Sequence, residues 1–156
     1  MIRSIVKYPG RPSEIVEFEA RNPSIESMRK FESILCGNVE RVIVPEFSEY
    51  GESLAFYVNG NAKRIGHMLP NIPLRYPQGN GVYVLFDILA GPVIIAGFDD
   101  SRFTIKTINL NDACDIMKKM DKIATSIPQE DFENIYFAIR KDILSADRLE
   151  QDIGNI

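Results

Sequence analysis

Between Tyr57 and Asn71 the chain gathers the side chains best suited to hold a polar ligand. They are Asn59, Asn61, Lys63, Arg64, His67 and Asn71, with Gly60 and Gly66 among them. Arginine offers a planar fork that fits a phosphate or carboxylate, and lysine a compact point charge. The asparagine amides both donate and accept, as recognition of a base or ribose edge requires. Glycines let backbone N–H groups come close to an anion. Arg75 adds a third cation a few residues on. The expected ligand-binding residues are therefore Asn59, Asn61, Lys63, Arg64, His67, Asn71 and Arg75. A plainer reading competes, since Asn and Gly cluster in turns because they tolerate positive φ, and Asn59-Gly60 is strong tight-turn chemistry.

Catalytic chemistry is harder to find. His67 is the only histidine. A general base needs an orienting partner, and the chain has no GxSxG, HExxH, Walker A or GxGxxG signature. Asp87 lies between two apolar runs. A buried carboxylate there needs a partner, with Arg64 or Arg75 as candidates, or it caps the turn before Gly91. Asp99-Asp100 lacks the rest of a calcium loop and reads as solvated. Cys36 and Cys114 belong to no CxxC pair. Each falls in an amphipathic helical pattern and reads as a small buried hydrophobe, not a zinc ligand. No catalytic residue, metal or cofactor is expected, and a binding protein is favoured over an enzyme.

Bulk properties narrow the field. The 156 residues suit one domain, and 45% hydrophobic with 26% charged residues is ordinary for a folded protein. No apolar run approaches the ~20 residues of a membrane span. The N-terminal residues lack the pattern of a signal peptide, so a cytoplasmic protein is expected, in the host-cell cytoplasm if phage-encoded. The net charge is −4; residues 1–97 carry 10 basic and 10 acidic side chains, and residues 98–156 carry 8 and 12. Within 53–97, Lys63, Arg64 and Arg75 face only Asp87. An acidic chain with a locally basic middle suits a small anion better than a long nucleic acid.

The elements that must position these groups follow from periodicity. Ile2–Tyr8 and Glu14–Glu19 read as a hairpin around Pro9-Gly10-Arg11-Pro12. A helix begins near Asn22-Pro23-Ser24, with Ser24 as its expected cap and Gly37 as its left-handed stop. Val39–Pro45 and Leu54–Val58 read as strands, with a polar loop over Glu46–Ser53. Ala62–Gly81 shows no clear period, and Pro70, Pro73 and Pro77 argue against a helix or a central strand. Val82–Phe86 and Val93–Phe98 are continuous apolar runs of the kind found in strands buried on both faces. Phe103–Thr107 alternates as an edge strand. Asn109 or Asn111 caps a helix carrying Ala113, Ile116, Met120 and Ile123. A second helix after Pro128 carries Phe132, Tyr136, Ile139 and Ile143. Arg148–Ile156 reads as a frayed tail. The fold expected is α+β: a mostly antiparallel sheet of about six strands, one early helix and a C-terminal helical pair, all in a single domain 1–156.

A set of short motifs adds a resemblance. Tyr8-Pro9-Gly10, Cys36-Gly37 before Val39–Pro45, Tyr57-Val58-Asn59 with Leu69-Pro70-Asn71, and Asp87–Gly97 occur in an order that resembles an uncharacterised domain family of phages and of mobile elements in gut bacteria. The likeness covers roughly residues 1–122, leaving 123–156 as a helical extension. Pro92-Val93 stands where that family usually begins a strand with Thr-Phe. The resemblance implies a host-manipulation or mobile-element setting and no activity, so it assigns no site residues.

The leading expectation is a non-enzymatic protein that captures a small anionic, nucleotide-type ligand, for example a host-defence signal, enclosed at the interface of a homo-oligomer. One alternative is a protein-interaction module or DNA mimic that binds a host protein through its acidic C-terminal helices. The other is a small nucleotide hydrolase using His67 and Asp87.

Overall fold

The computed structural model describes residues 1–154. Its centre is the strand made from the most apolar run, β7 (Val93–Asp99), which is buried on both faces over Val93–Phe98. β7 lies between β1 (Ile2–Lys7) and β4 (Leu54–Asn59), and the path of the sheet is β2-β1-β7-β4-β3. β2 (Glu14–Phe18) and β3 (Val39–Val42) form its ends, and the short β8 (Thr104–Lys106) pairs with the far end of β7. Every pairing is antiparallel. The fold is α+β: a six-stranded antiparallel sheet, one early helix and a C-terminal pair. Pro92, which has no N–H to give a ladder, sits just before β7, and pairing begins at Val93 opposite Lys7.

Two cores flank this sheet. Strand side chains alternate between its faces. Val6, Tyr57, Ile94 and Ala96 pack on one side against Phe31 and Leu35 of α1 (Pro23–Leu35). Ile5, Phe56, Val93 and Ile95 pack on the other against Ala113, Ile116 and Met120 of α2 (Leu110–Ala124). Asn109 caps α2, its side chain accepting from the Asp112 N–H at 2.8 Å. At α1 the cap is Asn22, two residues before Ser24, which instead bonds Thr104. Pro23 then occupies the first helical turn, where a missing N–H costs nothing. The left-handed residue ending α1 is Cys36, with φ 58°, and Gly37 follows with φ 154°. Both Cys36 and Cys114 are exposed, so neither is the buried hydrophobe its helical pattern implies.

The middle of the chain departs most from expectation. Pro45–Ser53, expected as a loop, holds 3₁₀ turns interrupted by non-helical backbone at Phe47 and Gly51. The proline-rich stretch contains a ten-residue strand, β5 (Pro70–Gly79), paired among the described residues with β6 (Val82–Ala90) alone, in a separate two-stranded sheet. An edge position is what makes three prolines tolerable in a strand. The distal part of β6 is not buried on both faces; Val82, Tyr83, Val84 and Phe86 are about half exposed. The inner end of the hairpin packs on α3 (Gln129–Gly154) through Met68, Ile88, Ala90, Phe132 and Tyr136. α3 continues helically through Arg148, where a frayed tail was expected; Asn155 and Ile156 lie outside the described residues. No described helix is long and apolar enough to cross a membrane.

Candidate functional site

The residues singled out between Asn59 and Arg75 do not surround one concavity. Asn59 is buried, and its amide donates to the Leu35 and Cys36 carbonyls (3.1 and 3.4 Å) while accepting the Asn61 N–H (2.8 Å). It therefore satisfies acceptors left open at the end of α1. Exposed Asn61 precedes the 3₁₀ turn Ala62–Arg64 and accepts the Arg64 N–H. Lys63 reaches Asp87 at 2.6 Å, and that carboxylate oxygen also accepts the Ile88 N–H. Arg64 forms a two-pronged bond with Asp147 of α3 (2.8 and 3.2 Å), which holds the Asp147 carboxyl below its usual range. Arg75 likewise makes two hydrogen bonds to the Glu46 carboxylate (2.7 and 2.9 Å) and lies over the Tyr83 ring.

Each cation of the basic segment is thus matched by a carboxylate from another element. The partner of Asp87 is Lys63, not Arg64 or Arg75. His67 is exposed and has no carboxylate partner or bond to Asp87 among the described residues. Asn59, Lys63 and Arg64 border one cleft of about 230 Å³, Arg75 a second, and Asn71 a third.

The third cleft, of about 380 Å³, is built around a residue the sequence did not single out, Lys7. β1 is an interior strand, so Lys7, at its end, shares the α2 side with Ile5 and is only 3% exposed. Its ammonium donates to the Tyr8 carbonyl (2.7 Å) and to Asn71 Oδ1 (3.2 Å). An ammonium has three N–H groups; the third has no protein acceptor among the described residues. No carboxylate lies within ion-pair distance of Lys7 among them. Burial lowers its pKa from the ordinary value, and the charge of Asp121 draws it part of the way back.

Asn71 is placed by a bulge. Pro70 faces Ala90 and Ile72 faces Leu89, leaving Asn71 as the extra residue on β5. Bulges re-aim side chains. Asn71 turns inward and donates to the carbonyls of Lys7 (2.6 Å) and Gly91 (2.8 Å) while accepting from the Lys7 ammonium. Gly91 has φ 71°, and a Cβ there would meet Met68 Sδ at 2.8 Å, so any larger residue would be strained beside Asn71.

The rest of the rim comes from three segments. Arg11 belongs to the β1–β2 turn and stacks on Tyr8 at 4.4 Å. Asp121 and Thr125 end α2, with Asp121 accepting the Ser13 N–H at 2.8 Å. Gln129 and Phe132 open α3. The cleft carries two cations against one carboxylate, an apolar wall, and amide and hydroxyl groups. That mixture suits a small anion better than a neutral apolar molecule.

No protein-family model, curated protein or solved structure matches the chain.

Proposed function

We propose that the chain is a binding protein, not an enzyme, that captures a small anionic ligand of nucleotide type. Its site is the Lys7 cleft, in the phage or mobile-element setting implied by the motifs of its first 122 residues. One observation carries this reading: a buried lysine, unpaired with any described carboxylate and holding a spare N–H, borders a cleft of about 380 Å³. That volume falls in the range of small-molecule sites, roughly 300–1,000 Å³. Lys63, Arg64 and Arg75 each have their charge already matched and serve the fold. Lys7 and Arg11 hold the anionic group, Asn71 fixes the lysine, and Thr125 and Gln129 supply the remaining polar contacts. A homo-oligomer belongs to this reading.

Calorimetry against inorganic phosphate, nucleoside mono- and diphosphates, cyclic nucleotides and ADP-ribose-type nucleotides tests it. The expected result is saturable heat with at least one, abolished by Lys7→Met, weakened by Arg11→Ala and unchanged by Lys63→Ala. Absence of heat with all of them, or binding that survives Lys7→Met, overturns it.

A second reading draws on α3. Phe132 and Tyr136 are committed to the core, but Phe137, Leu144, Leu149 and Ile153 are exposed along its length. These residues, with seven carboxylates among 129–154, favour a host-protein contact through this helix. A host partner captured by the native chain but not by a Leu144→Lys, Leu149→Lys variant would support it.

A further inference from the structure

The hairpin of β5 and β6 has two outer edges with opposite chemistry. The outer edge of β5 is interrupted by Pro70, Pro73 and Pro77, and by bulges at Asn71 and Gln78. Prolines and bulges are the devices that prevent strand addition. The outer edge of β6 has none of them from Val82 to Leu85, its one bulge in the arm coming after them at Phe86, and among the described residues β6 pairs with no strand besides β5. Its side chains are strand-forming, and Val82, Tyr83, Val84 and Phe86 are between 44% and 56% exposed. Tyr76, opposite Val84, stacks on Phe86 with ring centroids 4.3 Å apart. The arm is thus ordered at its face but open at its edge.

Charge identifies the occupant. From Tyr76 to Phe86 no side chain is charged, in a chain that is 26% charged. Such an edge offers nothing to a nucleic acid or an acidic or basic peptide, but it complements itself. An antiparallel pair centred on Val84 sets Val84 against Val84 of a second copy. Tyr83 then faces Leu85, and the pairing stays within the bulge-free run, with Phe86 at its margin. Asp87, the nearest charge after the arm, lies beyond the paired residues and away from the axis at Val84, so no like charges meet. Cross-strand apolar pairs of this kind stabilise a sheet, whereas like charges directly opposite destabilise it. We infer that β6 is the dimer contact of this protein, pairing edge to edge with β6 of a second copy about a two-fold axis at Val84 to form a four-stranded sheet. The inference rests on the homo-oligomer of the proposed reading and not on its ligand.

Sedimentation velocity of the full chain without ligand, across a concentration series, is the test. Wild type is expected to be a dimer at high concentration. Val84→Lys and Val84→Glu each oppose like charges at the axis, and each raises the dissociation constant at least tenfold. Their equimolar mixture regains dimers. Amide hydrogen exchange of wild type gives a reading that needs no variant: protection of Val82–Leu85 rises with protein concentration. A wild type that stays monomeric throughout, variants that dimerise as well as wild type, a mixture that stays monomeric, or protection independent of concentration would each overturn the inference. A dimer that ignores the Val84 variants removes β6 from the contact while leaving an oligomer in place. The calorimetric titrations judge the ligand separately.

Discussion

A cation surrounded by water and a cation under a helix behave differently, and this chain has both. Arg64 is exposed and forks onto Asp147; such a surface pair is worth little and is screened by salt. Lys7 is buried with only neutral oxygens as bonding partners, so its charged form is disfavoured. Its folded pKa lies below the ordinary 10.5. Between those two values the unfolded chain holds a proton that the folded chain has lost. Stability contributed by Lys7 therefore rises with pH across that window and is lost as pH falls through the lowered value. Tyr57 and Tyr136 act oppositely, because burial raises their pKa values above 10.0 and the unfolded chain loses its protons first. The Lys7 contribution is isolated by difference. Urea unfolding of wild type and Lys7→Met from pH 7 upward should show the stability gap shifting in favour of wild type as pH approaches 10.5. A gap constant in pH contradicts the lowered pKa. The sequence hid this residue: a lysine closing an amphipathic strand reads as solvated until the neighbours on both sides are known. Asn59 and Asn71 were legible as important polar residues, but spacing alone cannot tell an amide that grips a ligand from one that grips the backbone.

At the scale of elements, the legible parts are those whose partners are close in sequence or whose pattern allows one environment. The β1–β2 hairpin, α1 and α2 follow from turn chemistry and helical spacing, and β7 from its unbroken apolar run. β6 has a similar run and a different fate, because an apolar strand needs a covering layer and the run does not say whether one is supplied. β5 was unreadable for the converse reason: prolines exclude a central strand, and only an edge pairing rescues it. α3 is tied down by its first half. Tyr136, 1% exposed, donates its hydroxyl to the Met68 carbonyl at 3.0 Å, and Arg140 donates to the Lys63 carbonyl at 3.1 Å. Tyr136→Phe keeps the ring and removes only that bond, leaving a buried carbonyl short of a donor. The expected cost is about 1–2 kcal/mol. For a chain of this length that lowers Tm by about 2–8 °C. A thermal melt of the variant checks it, and an unchanged Tm would place the hydroxyl in water rather than on Met68.

At the scale of the molecule, stability should be graded outward from the sheet. β1, β4 and β7 form the inner part of the ladder and contribute to both large cores, whereas the distal hairpin and the end of α3 contribute to neither. Local opening free energies follow burial and hydrogen bonding, so slow hydrogen exchange marks the inner strands and fast exchange the periphery. The candidate cleft lies where these regimes meet. Its floor is the end of β1, held by Asn71 and Gly91, and its rim is the β1–β2 turn with the α2–α3 corner. Binding of an anion there need not alter the inner ladder, but it bridges segments distant in sequence. Measured at low protein concentration, exchange without ligand should be slowest in Val93–Phe98 and fastest in Gln78–Leu85 and 145–154. With a bound nucleotide, protection should grow at Tyr8–Ser13 and at 121–132 together, because both segments border one cleft, while the Ala62–Arg64 turn stays unchanged. Protection confined to Ala62–Arg64 instead would return the site to the basic segment and mean that its ion pairs open to admit the ligand.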